Sequence, residues 1–539
     1  MPSSTLSSYS NRTKPMSGMA LALLAALAVG LALFYRLPDL GLRPMHTDEA
    51  ILGMKFIDMC KQGRFDYDPH DFHGPVLHYA TWVYGTLAGW GDSMGITEAD
   101  LRRVVVIFGV LLVLSTLLVT DALGRGATSI AMLIMAVSPM MVFYSRYYIM
   151  EVPYVLWLAL FMFGCWRFSV YESWLWLVLV GASLGLMHAT KETFIINMVA
   201  MLCGWVAAKL LTDGFEHRNR GLHLSIGRSR HFIQWPWIWG GVIALVVSVM
   251  LFSGFFRFWD DVKESFTTYG SYAHRSTGAG HEKPWYYYLS VLLWTKDFFL
   301  WTEAMIGGLA VVGMIHAFAG RFQREEPRKA FLVFLSVYAL VALAFYSIIP
   351  YKTPWTFLSV QHVLTLLAGV GAQVVFAQSQ SRLWKGLCSM LLIAGLYHLC
   401  DQSMFTIRDR GRANLRGPYV YSHTTSSAMQ LVEKLRGLAE FQKADFTAQV
   451  ITMDAGWPLP WYLREHDKVG YQTEVPTGLD ASVIVVDQAM AADVRSACKD
   501  KQFVSDVYGM RGPGTNVVLL VEKGLWDTYT AAKTKIKVP

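Results

Sequence analysis

Long apolar runs separated by short charged or Gly/Pro-bearing stretches fill the first 400 residues. They lie near 19–35, 103–120, 127–144, 152–168, 173–189, 193–211, 234–256, 302–319, 330–348, 355–377 and 384–400. Each has about the length a helix needs to cross the hydrocarbon core of a bilayer. The pattern predicts about eleven transmembrane helices. Segment 75–91 stands apart because it is short and mixes His78 with an aromatic-rich face. It fits a helix lying in the membrane interface better than a span. The first run follows a Ser-rich start with Arg12 and Lys14, and no small-residue cleavage site follows it. It is read as a retained signal anchor.

From about residue 402 hydrophobicity falls and the period changes. Segments 448–453, 482–487 and 516–522 read as short strands, and 427–441 and 489–498 as helices between them. Gly509 to Gly514 reads as a turn before the last strand; a phosphate-cradling loop is the sharper reading of its glycines, but no helix follows it directly. The expected architecture is a polytopic α-helical membrane domain over 1–401, with a large first outer loop at 36–102, and a small extracytoplasmic α/β domain over 402–539. No internal repeat is visible.

The positive-inside rule tests the span count. With 75–91 lying flat and the N-terminus in the cytoplasm, Arg125, the Arg218–Arg230 loop, Arg321 to Lys329, and Arg382 with Lys385 all fall inside. If 75–91 crosses, every one of these loops moves outside, against the bias. The predicted orientation sends the C-terminal part out of the cytoplasm, in a multi-pass protein of the cell inner membrane.

Composition agrees: hydrophobic residues make up 54% of the 539 and charged ones 16%, which excludes a soluble multidomain enzyme. The net charge of +7 collects in short loops, which suits a lipid bilayer and not nucleic acid. Of six cysteines, Cys165, Cys203 and Cys388 lie in apolar runs, so no disulfide framework or CxxC metal site is indicated.

Chemically loaded segments all fall at the outer ends of spans. They are His46 to Glu49, Asp66 to Pro75, Tyr144 to Glu151, Thr190-Lys191-Glu192, and Ile349 to Trp355. For Asp48 and Glu49 two readings stand: acids put to use at the membrane face, or a helix start capped by Thr47 with acids at the positive end of its dipole. Glu151 beside Pro153 allows the same helix-start reading.

An acidic pair after the first span, a long outer loop ending in an interfacial helix, and a further acid in the second outer loop together resemble the GT-C membrane glycosyltransferases. Protein O-mannosyltransferases, aminoarabinose transferases and catalytic oligosaccharyltransferase subunits belong to that superfamily. The resemblance covers roughly 15–400. His73-Gly74-Pro75 stands where those enzymes carry His/Lys-Pro-Pro, with Gly replacing one Pro. A closer resemblance is to a GT-C-like family with Tyr-Asp-Pro, His-Gly-Pro and Tyr-Lys-Thr-Pro-Trp, here Tyr67-Asp68-Pro69, His73-Gly74-Pro75 and Tyr351-Lys352-Thr353-Pro354-Trp355. Some of its members carry the label flippase-associated.

The resemblance implies sugar transfer from a polyprenyl-phosphate-linked donor to a glycan, lipid or protein acceptor. Such chemistry needs a base for the acceptor and positive charge for the departing phosphate. Asp48 is the candidate base of an inverting displacement. Glu49 is expected to orient the acceptor or pair with a cation, and Glu151 to support from the second loop. Arg146, Lys191 and Lys352 are the candidates for the phosphate, each with snorkelling to the interface as the competing reading. Pro350 and Pro354 bracket Lys352 and would fix its backbone. His73 is a candidate substrate contact; Tyr147, Tyr148 and Tyr351 would stack on sugar or prenyl groups, or belong to an aromatic belt.

The acids and imidazoles of His46, Asp48, Asp66, Asp68, His70, Asp71 and His73 would suit a divalent metal, although a DxD motif such as Asp66-Tyr67-Asp68 is weak and the expected chemistry runs without one. Loop 257–300, with Thr277-Gly-Ala-Gly280 and Trp285 to Tyr288, reads as a lid or an interfacial anchor. The competing function is a flippase-associated or lipid-linked-glycan-binding component without transfer. A transporter would carry acids deep in its spans and in repeated halves.

Overall fold

The computed structural model describes residues 16–70, 73–91, 95–219, 235–275, 280–295, 301–319, 327–408, 417–512 and 514–536. Arg12, Lys14, Asp71, Arg220, Arg228, Arg230, Arg321, Arg324, residues 277–279 and Pro513 lie outside the described residues, and so does the side chain of Arg218.

Among the described residues seven helices are long and apolar enough to cross a membrane: Gly18–Arg36, Glu98–Leu123, Glu151–Tyr171, Phe194–Leu211, Arg328–Ile348, Pro354–Ala377 and Arg382–Ile407. Four shorter apolar helices, Arg125–Val137, Trp174–His188, Pro236–Phe252 and Ala304–Phe318, complete the bundle. Between the first two long helices run Thr47–Gln62 and Val76–Ala88. The latter, 13 residues long, is well short of a bilayer crossing.

Without a hydrophobic drive between helices in lipid, close packing falls to small residues. Helices Ala304–Phe318 and Leu358–Ala377 meet through Gly313 and Gly371, each lying against a carbonyl of the other helix, Leu367 and Leu309 respectively. A Cβ at either glycine would overlap that carbonyl.

The C-terminal part forms a mixed five-stranded sheet in the order β2-β1-β3-β5-β4. Here β1 is Ala448–Ile451, β2 Val469–Gln472, β3 Val483–Asp487, β4 Phe503–Arg511 and β5 Thr515–Glu522. The first three pair in parallel, and β4-β5 is an antiparallel hairpin attached to β3. Strand β3, Val-Ile-Val-Val, is buried on both sides, as a central strand must be. The predicted strands and the helices Ser426–Gln442 and Ala491–Ala497 are present. Strands β2 and β4 are additional to the predicted ones, because their half-exposed residues carry little apolar signal.

Residues 417–425 join bundle and sheet as a strap laid over the bundle's end. Tyr144 Oη donates to the Tyr419 carbonyl at 2.9 Å, and Thr424 Oγ1 to the Met45 carbonyl at 2.6 Å. Tyr419 donates to the buried Glu303 carboxylate, which also takes Ser138 Oγ at 2.5 Å and Gln361 Nε2 at 2.9 Å.

Candidate active site

The acid pair divides on the first turn of Thr47–Gln62, because successive helical residues point about 100° apart. Glu49 turns inward and is fully buried. Its carboxylate receives Nε and Nη2 of Arg102, both at 2.7 Å, and the amides of Tyr148 at 2.8 Å and His46 at 3.1 Å. Arg43 stands 3.7 Å away. Burial alone would raise the pKa of Glu49, but Arg102, Arg43 and these hydrogen bonds outweigh it and hold the carboxyl at about 2. Of the two roles expected for Glu49, pairing with a cation is the one its contacts display.

Asp48 turns outward, and its side chain keeps 27% exposure. The helix is capped by His46, one residue before the expected Thr47: Nδ1 accepts the Asp48 amide at 3.0 Å. Since Nδ1 accepts, the ring proton sits on Nε2 and is donated to the Tyr421 carbonyl at 3.0 Å. Burial pulls His46 below its ordinary pKa, consistent with a neutral ring.

Rings from four separate segments wall the site. His46 lies 5.5 Å from Tyr147, 5.8 Å from Trp355 and 5.4 Å from His423, centroid to centroid. Tyr147 is buried under the Arg43 guanidinium at 4.3 Å, and its hydroxyl meets His423 Nε2 at 3.3 Å. On its outward side Asp48 exerts its charge on His281, Tyr421 and Arg511. His281 Nδ1 hydrogen-bonds the Tyr421 hydroxyl, and its ring lies 4.7 Å from that of half-exposed Tyr351.

Lys352 is buried and turned inward, so it does not snorkel. Its Nζ donates to the Lys283 carbonyl at 3.2 Å and to that of Ile349, and burial lowers its pKa. Its amide bonds the His281 carbonyl at 3.1 Å, while Lys283 N bonds Pro350 O at 3.2 Å. Loop segment 281–283 therefore lies beside the Pro-bracketed segment, with Trp285 and Tyr286 exposed next to it. The loop combines a cover at His281 with an exposed aromatic pair that suits an anchor.

The remaining candidates are engaged elsewhere. Arg146 spends its guanidinium on the carbonyls of Arg36 at 2.9 Å, Asp39 at 3.3 Å and Tyr35 at 3.4 Å, the carboxyl end of the first span. This satisfies orphan carbonyls and complements the helix dipole. Glu151, the first residue of its helix, forms a buried ion pair with Lys191. His73 Nδ1 meets Glu192 at 2.7 Å. These contacts lock His73-Gly74-Pro75 onto Thr190-Lys191-Glu192. Gly74 lies so close to the Ala189 carbonyl that a Cβ would overlap it, and Val76 N bonds the same oxygen at 3.3 Å. A proline ring has no room there, which explains the departure from Pro-Pro.

Among the described residues no three His, Cys, Asp or Glu side chains gather as metal ligands. Asp66 pairs with Arg64, and Asp68 accepts the His70 amide at 2.8 Å. The sequence reading passed over Arg43, Arg102, His281, Tyr421, His423 and Arg511. Tyr419-Val-Tyr-Ser-His423 was an available signal, since such an aromatic cluster is out of place in a linker.

Residues 88–260 match the family described as Dolichyl-phosphate-mannose-protein mannosyltransferase. No curated protein matches the chain significantly. The fold is similar to that of ArnT from Cupriavidus metallidurans, solved bound to undecaprenyl phosphate, with a TM-score of 0.62 at 16% identity. The superposition covers 95% of this chain and 99% of that one. It is an ArnT-like fold. The oligosaccharyltransferase of Archaeoglobus fulgidus in its apo form gives a TM-score of 0.53 at 13% identity over 95% of this chain and 77% of its own. The chain is thus a multi-pass membrane protein with the acid pair at one end of its ArnT-like bundle.

Proposed function

We propose that this protein is a membrane glycosyltransferase that moves a sugar from a polyprenyl-phosphate-linked donor to an extracytoplasmic acceptor, with inversion. The observation that carries the reading is the division of the acid pair. Glu49 is consumed by Arg102, while Asp48, one residue away, keeps a partly exposed side chain at the rim of an aromatic-walled site. The match of 88–260 to the mannosyltransferase family and the likeness to a fold solved with undecaprenyl phosphate support the donor class.

In this reading Asp48 takes the acceptor hydroxyl proton as the acceptor oxygen bonds to the anomeric carbon and the bond to phosphate breaks. The leaving phosphate goes to Lys352, whose ammonium has three donors and gives two to carbonyls. Tyr351, half exposed beside it, supplies stacking surface for the sugar, and the buried Tyr147 is part of the aromatic wall at His46. Glu49 orients the helix that carries Asp48. Glu151, Lys191, His73 and Arg146 hold the outer segments in register around the donor. The acceptor is a glycan, lipid or protein on the outer face of the inner membrane, and the α/β domain shares that side.

The test is transfer of labelled sugar from polyprenyl-phosphate donors by the purified protein, with Asp48→Asn and Lys352→Ala variants that still fold. Donor-dependent product is expected, with kcat lowered by roughly 10²–10⁴-fold in Asp48→Asn. Failure of every donor while lipid-linked sugar still binds would replace this reading with the flippase-associated one.

A further inference from the structure

The α/β domain reaches the acid pair through one side chain. Arg511 ends β4 at the hairpin turn, and the register slips between Gly509 and Arg511. Such a bulge leaves one residue unpaired and re-aims the neighbouring side chain. The neighbouring backbone is pinned to the strap: Thr425 N bonds the Met510 carbonyl at 3.0 Å, and Thr424 bridges to Arg511.

Thus directed, the guanidinium crosses to the first turn of Thr47–Gln62. Nη1 donates to Thr47 Oγ1 at 3.3 Å, and Nη2 pairs with Asp454 of the same domain. Its buried Nε has no partner among the described residues. The charge of Asp48 is felt at His46, which is neutral by its hydrogen bonds, and at Tyr147, His281, Tyr421 and Arg511. Of these only Arg511 carries a permanent positive charge. The arginines around Glu49 and Tyr147 are spent on the protein: Arg102 on Glu49, Arg146 on carbonyls, and Arg43 over Tyr147 with a donor on the Arg146 carbonyl at 2.8 Å.

We infer that Arg511 is a positioning residue for Asp48, so that the C-terminal domain completes the catalytic site instead of serving only as a separate binding module. A guanidinium shared by Asp454 on one side and the Thr47-Asp48 turn on the other holds the outward carboxylate in one direction as substrate displaces water. The inference rests on the transferase reading, with Asp48 as its base.

The experiment compares full-length wild type, Arg511→Ala, Arg511→Gln and Arg511→Lys in the labelled-sugar assay, with thermal unfolding of each. Arg511→Ala and Arg511→Gln are expected to lose roughly tenfold or more in kcat, since misplacing a reacting group by an ångström is that costly. Donor KM should stay within about twofold, because an interaction made mainly in the transition state is what is lost. Arg511→Lys should retain intermediate kcat, and added guanidinium ion should restore part of the activity of Arg511→Ala. Wild-type transfer with unchanged kcat in Arg511→Ala would overturn the inference alone. So would a loss that follows unfolding and that neither lysine nor guanidinium rescues. Absence of transfer by wild type would overturn the transferase reading and this inference together.

Discussion

Glu49 and Arg102 are the most constrained residues of the site, because each is fully buried and each is charged. Breaking such a pair leaves one uncompensated charge in low dielectric, at a cost of about 3–5 kcal/mol. Glu49→Gln is therefore expected to unfold at markedly lower temperature than wild type in the same detergent, and more so than Asp48→Asn at the half-exposed neighbour. The same residue sets an acid limit. The folded-state pKa of Glu49, about 2, lies below the ordinary 4.5. Its contribution is complete above pH 4.5 and is lost as pH falls toward 2, amounting to roughly 3 kcal/mol over that window. Acid titration of stability should show this loss in wild type and not in Glu49→Gln. The sequence displayed the two acids side by side and left two roles open for Glu49, orienting the acceptor or pairing with a cation, without naming the cation. It is Arg102, 53 residues away, reaching back to Glu49 while also holding the carbonyls of Leu40, Arg43 and Pro44.

Among the elements, contact distance is set by what a position lacks. Gly371 and Gly313 let two helices meet backbone to backbone, so Gly371→Leu forces them apart. Overpacking of this kind costs about 1–3 kcal/mol or more, and the variant should show lower thermal stability with donor binding weakened alongside. Gly74 serves a more local purpose, the seating of His73 beside Glu192. Gly74→Ala is expected to reduce transfer while leaving secondary structure by circular dichroism unchanged; activity equal to wild type would show that this seating is dispensable. Helices and spans were readable because their apolar period is carried by neighbouring residues. The His-Gly-Pro motif was readable as a motif only, since the carbonyl that forbids a side chain at Gly74 belongs to Ala189 on a distant segment.

At the scale of the molecule, the first turn of Thr47–Gln62, the segment 350–355, the loop at His281, the strap 417–425 and the hairpin at Arg511 converge on one end of the bundle. The proposed orientation puts that end outside the cytoplasm, with Ser381 and the basic residues Arg382 and Lys385 inside. In a cysteine-free background, an impermeant maleimide should label Lys499→Cys in intact cells and Ser381→Cys only after the membrane is opened; the reverse pattern would invert the topology.

What the chain determined by itself was everything that local periodicity and composition carry. This includes the apolar helices, the change to an α/β domain after the last long helix, and the gathering of reactive side chains at span ends, because each follows from residues within about 20 positions. Tertiary structure decided which of those side chains are available for chemistry. Glu49, Glu151, Arg146 and Lys191 stood beside Asp48 and Lys352 as candidates along the sequence, yet folding engaged Glu49 with Arg102, Glu151 with Lys191 and Arg146 with carbonyls at the end of the first span. The physical reason is that a buried charge must find a counter-charge or a hydrogen-bonding partner wherever the fold supplies one. Only packing determines which groups are left over for a substrate.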